Sequence, residues 1–197
     1  MKNFYKKQLP LIFAAILIVA SVGYWEYRKA ENAQATTFGY TTIGNTSGDS
    51  SLPQCSKFTA PSTGAISTIT FYTSGSSNTA VAAIYSDNAG AINTKLATSS
   101  NNVSVGTAGW YSVNISYTVT SGTVYWLCNW GSSSNFTTYY SNSGGTNQYV
   151  ASIVGNTYPT WNTTLSTLAY SNDILSIYAT YSNGGSVTIK PQMILFQ

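Results

Sequence analysis

Period-two alternation is the feature that most constrains this chain. In "GWYSVNIS", Tyr111, Val113 and Ile115 fall on one face of an extended strand, with Trp110, Ser112 and Asn114 on the other. A few residues on, "GTVYWLCNW" is apolar at odd and even positions alike, which predicts a central strand covered on both faces, with Tyr125 and Trp126 in the core. Strands are also predicted at "TTFGYTTI", "CSKFTA", "AISTITFYT", "TAVAAIYS", "FTTYYS", "ILSIYATY" and "SVTIKPQMILF", with weaker segments near 101–105 and 147–153. Between them "TSGSSN", "SDNAG", "TSG" and "NGG" supply residues that tolerate positive φ or bond their own backbone. No stretch after residue 35 has a helical period. The expected fold is all-β: an antiparallel two-sheet β-sandwich, jelly-roll-like, over residues 36–182. Residues 183–197 read as a C-terminal hairpin strand or an exchangeable tail.

The first 35 residues are different in kind. "MKNFYKKQLPLIFAAILIVASVGYW" opens with lysines and continues as an apolar run, the order of a hydrophobic helix that engages export machinery with its N-terminus inside. This segment is a signal peptide or an N-terminal membrane anchor. "AQA" at 33–35 fits a cleavage site, but Glu26, Arg28, Lys29 and Glu31 intervene, an unusual distance for a signal peptide. Either way the remainder is expected outside the cell, secreted or anchored to the membrane by that helix. In an oxidising compartment Cys55 and Cys128 are most simply a disulfide, with two buried thiols the alternative.

Charge excludes several functions. Charged residues make up 7% of the chain, against roughly 25% in an average soluble domain. The formal net charge of +3 comes entirely from residues before 36; beyond them Lys57, Lys95 and Lys190 balance Asp49, Asp87 and Asp173. A neutral domain without Arg or His has no basic footprint for nucleic acid. With no histidine a Ser-His-acid site is impossible, and a cysteine nucleophile lacks its usual base. The three aspartates sit in turn-like contexts where bonds to the local backbone account for them, so no enzyme and no cofactor are expected. A metal is not expected either; Asp87 with Asn88 in "SDNAG" is the weak candidate, short of carboxylates for calcium.

Aromatics are abundant: 16 Tyr, 7 Phe and 5 Trp. Trp130, Tyr139, Tyr140, Tyr158 and Trp161 fall at predicted strand ends or in loops, where a ring can stay exposed and stack on a sugar or meet a partner surface. Asn-x-Ser/Thr sequons at Asn45, Asn102, Asn114, Asn135 and Asn162 are candidate glycosylation sites.

In order along the chain, "FGYTTIGN", "FTAPSTGAISTITFYT", "AAIYSDNAG", "GWYSVNIS", "YWLCNW" and "LSIYATY" resemble a widespread all-β module of exported bacterial and archaeal surface proteins. The resemblance covers roughly residues 38–181. It implies a jelly-roll-like sandwich in an extracellular setting and carries no catalytic residues with it. Together these observations predict a non-enzymatic surface interaction module, adhesive or carbohydrate-binding, whose partner is a glycan or a surface protein, with membrane contact only through the N-terminal segment. The alternative is a structural subunit of a filament or surface layer, self-associating by strand donation of residues 186–197, an apolar tail behind "NGG".

Overall fold

The computed structural model describes residues 35–75, 78–146, 148–152, 157–165 and 167–182. The predicted N-terminal helix, its cleavage site and the tail at 183–197 lie outside the described residues. Among those described there is no helix. The strands are β1 (Ala35–Gly39), β2 (Thr46–Asp49), β3 (Gln54–Thr59), β4 (Gly64–Ser74), β5 (Asn78–Asn88), β6 (Ala91–Thr98), β7 (Val103–Val105), β8 (Gly109–Val119), β9 (Val124–Gly131), β10 (Thr137–Ser141), β11 (Tyr149–Ser152), β12 (Thr167–Ser171), β13 (Ile174–Leu175) and β14 (Ile177–Ser182).

They form two sheets, antiparallel throughout. In the first, β4 is central, with β8 along one edge, β14 along the other, and β1 beyond β14. β10 joins the end of β4 at Thr73 and Ser74 and carries β2 and the short β13. The second sheet runs β12-β11-β3-β9-β5-β6, with β7 also on β5. As the alternation predicts, β8 turns Val113 and Ile115 inward and leaves Ser112 and Asn114 exposed.

The core between the sheets gathers Phe38, Ile69, Phe71, Ile177 and Tyr181 from the first sheet and Ala82, Ile84, Tyr125 and Leu127 from the second. Rings bridge the layers: Phe38 and Tyr117 each meet Tyr125, at 6.5 and 5.9 Å between centroids. The second sheet is covered on its outer face too. There Val81, Ala83 and Tyr85 of β5 and Trp126, Cys128 and Trp130 of β9 form a separate buried cluster with Trp161 and Leu165. β9 is therefore apolar on both faces because both are buried, and Trp126 is fully enclosed. Cys55 and Cys128 are direct cross-strand partners on β3 and β9, disulfide-bonded in this outer cluster with Cα atoms 4.0 Å apart.

Three strands escape the sequence reading: β2, β6 and β12. β6, "AINTKLAT", buries Ile92 and leaves its other residues half-buried or exposed, so it shows no clean alternation. It pairs with β5 through a hairpin whose loop residues Ala89 (φ 52°) and Gly90 (φ 89°) both take the left-handed conformation a tight two-residue turn demands. Asp87 supports that turn by accepting the Gly90 N–H at 2.9 Å, and its other oxygen accepts the Trp126 indole N–H at 2.9 Å.

Candidate functional site

The structure divides the five candidate rings. Trp130 and Trp161 are 2% and 4% exposed, which corrects the expectation that they present their faces to a ligand. They pack edge-to-face on each other at 5.4 Å, and Tyr158 packs on Trp130 at the same separation. The Trp130 indole N–H donates to the Ser51 carbonyl at 2.7 Å, and the Tyr158 hydroxyl bonds Thr79 Oγ1 at 2.8 Å. The physical reason is the segment 157–165, which lies over the outer face of the second sheet. It is held there by the Thr94–Thr164 bridge and by Tyr85 Oη donating to the Asn162 carbonyl at 2.6 Å. Tyr140 is half-buried and stacks on Tyr149, with centroids 6.4 Å apart and planes 22° from parallel.

Tyr139 belongs to a different arrangement, on the outer face of the first sheet. There Tyr139, Tyr72, Trp110 and Tyr178 form a continuous row, one ring each from β10, β4, β8 and β14. Successive centroids are 4.9, 5.4 and 5.3 Å apart. All four rings are half-buried, and interplanar angles of 87°, 74° and 60° make the row ribbed, each ring braced by its neighbour. Tyr72 and Trp110 are Cα partners. Beside them Thr70 Oγ1 and Ser112 Oγ share a 2.8 Å hydrogen bond on the same face. The sequence reading missed Tyr72, Trp110 and Tyr178 as site residues. The available signal was Trp110 itself, an aromatic on the polar side of an alternating strand.

Clefts also open elsewhere among the described residues, and three of them differ in charge. One, of about 520 Å³, is lined by Lys95, Ser99, Asn101, Asn102, Thr160 and Trp161, among others, with no carboxylate. A second, of about 460 Å³, contains both Lys57 and Asp87. The third, of about 270 Å³, contains Asp49 and Asp173. Both carboxylates are engaged: Asp173 accepts from Ser171 Oγ at 2.7 Å, whereas Asp49, in β2, accepts across the sheet from Thr137 Oγ1 at 2.6 Å and not from the local backbone its sequence context suggests. No cluster of three or more His, Cys, Asp or Glu occurs among the described residues. Of the sequons, Asn45, Asn102, Asn114 and Asn135 are exposed and Asn162 is half-buried.

Burial raises the phenol pKa of Tyr85, Tyr117, Tyr149 and Tyr158, in Tyr149 reinforced by Tyr140 and Asp173 and in Tyr158 partly offset by the Thr79 hydrogen bond. A raised phenol favours the native protonated form. That stability is intact below about pH 10, where unfolded tyrosine titrates, and is lost as the pH climbs toward the higher native value. The urea midpoint is therefore expected to fall steadily above about pH 10. A midpoint that stays level well beyond that pH would contradict these burials.

No family model and no curated protein matches this chain in sequence. Solved structures do resemble it. The crystal structure of the cysteine protease and lectin-like domains of Cwp84, a surface layer associated protein of Clostridium difficile, superposes with a TM-score of 0.54 over 75% of this chain at 14% identity. A structure of the clostridial cysteine protease Cwp84 after propeptide cleavage gives the same TM-score and coverage at 12% identity. This chain spans 36% and 40% of those two. At such identities the likeness establishes a shared fold.

Proposed function

We propose that this protein is a non-enzymatic extracellular or cell-surface module, and that the outer face of its β8-β4-β14 sheet binds glycans. The observation that carries the reading is the row Tyr139-Tyr72-Trp110-Tyr178. A pyranose has an apolar face that stacks on aromatic rings and hydroxyls that need partners at the rim. The row offers rings beside the exposed Ser112, whose hydroxyl lies on the same face. Rings already braced against one another lose little freedom on binding, which favours affinity.

Other observations support the setting. The basic, then apolar N-terminus is that of an exported chain, and the ordered motifs resemble modules of exported surface proteins. The jelly-roll-like reading of the sandwich belongs to the same resemblance. One structural neighbour is described as a surface layer associated protein with cysteine protease and lectin-like domains. The absence of histidine and the hydrogen bonds that Asp49, Asp87 and Asp173 already accept support a binding role over a catalytic one.

The test is a panel of neutral oligosaccharides titrated into the wild type, Trp110→Ala and Tyr178→Ala. Loss of a central aromatic anchor costs about 25-fold or more in affinity. We expect that loss for Trp110→Ala with the fold retained. Binding by Trp110→Ala at wild-type strength, or no member of the panel bound by the wild type, would refute the proposal.

A further inference from the structure

We infer that a second, separate binding site lies in the cleft between the turn at Ser99–Asn102 and the loop at Pro159–Trp161, and that it takes a carboxylate-bearing sugar of an acidic polysaccharide. The cleft borders the outer face of the second sheet, whereas the aromatic row lies on the first. At about 520 Å³ it falls in the range of small-molecule sites and exceeds what a simple anion needs.

Its chemistry is donor-rich and cationic. Among the described residues that line it, Lys95 alone is ionisable, and none of them brings a carboxylate to face that ammonium. This separates it from the cleft where Lys57 is accompanied by Asp87. The lysine is held in place at both ends: its backbone N–H donates to the Thr163 carbonyl at 2.7 Å and Nζ donates to the Trp161 carbonyl at 2.5 Å. An ammonium has three N–H groups, so two remain for a ligand. Asn102 and Thr160 are exposed at the rim and make no side-chain hydrogen bond with the described residues. Pro159 and Trp161 provide an apolar wall for a sugar ring. The buried Trp161 Nε1 has no hydrogen-bond partner among the described residues.

The test uses the full chain carrying Trp110→Ala, so that failure of the aromatic row and failure of the cleft are read separately. Oligogalacturonate and its methyl ester are titrated by calorimetry. A charge-assisted contact is worth at least about tenfold. We expect the acid to bind, the ester to bind at least about tenfold more weakly, and Lys95→Met to show the same loss. Asn102→Ala and Thr160→Ala, at exposed positions that do not threaten folding, are expected to weaken the acid as well. Equal binding of acid and ester overturns the inference. So does wild-type affinity in Lys95→Met or in both rim variants, absence of acid binding, or complete competition by acetate at the same concentration, which would mark a bare anion site.

Discussion

Replacing Trp130 with Ala is expected to cost about 3–5 kcal/mol of folding stability, in a protein whose total is of the order of 5–15 kcal/mol. The residue is 2% exposed, and two other rings pack on it. Truncation opens a cavity that neighbouring β-strands cannot collapse to fill, and it leaves the Ser51 carbonyl without its indole donor. Trp161 and Tyr158 lose their common partner, which loosens the segment 157–165 over the sheet. Chemical denaturation measures this directly. A loss below about 1 kcal/mol would mean that the outer cluster is not a packed core. The same substitution at half-buried Trp110 is expected to cost less, about 1–3 kcal/mol for its two ring contacts, so stability ranks the enclosed tryptophan above the one on the outer face.

The second large effect concerns the disulfide. Cys55 and Cys128 are 73 residues apart in sequence. A cross-link of that span removes loop-closure entropy from the unfolded chain worth about 4 kcal/mol in the chain-entropy model. The double variant Cys55→Ala with Cys128→Ala is expected to lose about that much. Both cysteines are fully buried, beside Trp126 and Trp130 on the same face of the sheet. Dithiothreitol is therefore expected to reduce the bond only when denaturant is also present. Rapid reduction of the native protein, or a double variant as stable as the wild type, would contradict the observed burial or the entropic account.

These two residues also show how far the sequence could be read. The doubly apolar run "GTVYWLCNW" correctly places β9 at the centre of a sheet. Its even positions, Trp126, Cys128 and Trp130, share one face and therefore require a cover. That cover is the segment 157–165, which contributes Trp161. Nothing local in "TYPTWNTTL" says that it lies across a sheet distant in sequence, so Trp130 and Trp161 read as exposed rings at a strand end and in a loop. Tertiary contact overrides the local signal there. The alternation of β8 was legible and placed Trp110 outward beside Ser112. The row it belongs to depends on β4, β10 and β14 meeting at one register, which no single strand encodes. β6 was invisible because its apolar residues, Ala91, Ile92, Leu96 and Ala97, do not alternate, its pairing with β5 being broken by register shifts, although the turn that launches it was plain in "SDNAG".

The most direct measurement of the central claim follows the indole N–H signals of the five tryptophans in a 15N-labelled sample titrated with the best-binding neutral oligosaccharide. Trp110→Phe identifies one of those signals as Trp110. That signal is expected to shift progressively with ligand while those of buried Trp126, Trp130 and Trp161 stay in place. Saturable binding that leaves the Trp110 signal unmoved, or that shifts the buried indoles in its stead, would contradict the assignment of the outer face of the first sheet as the binding surface.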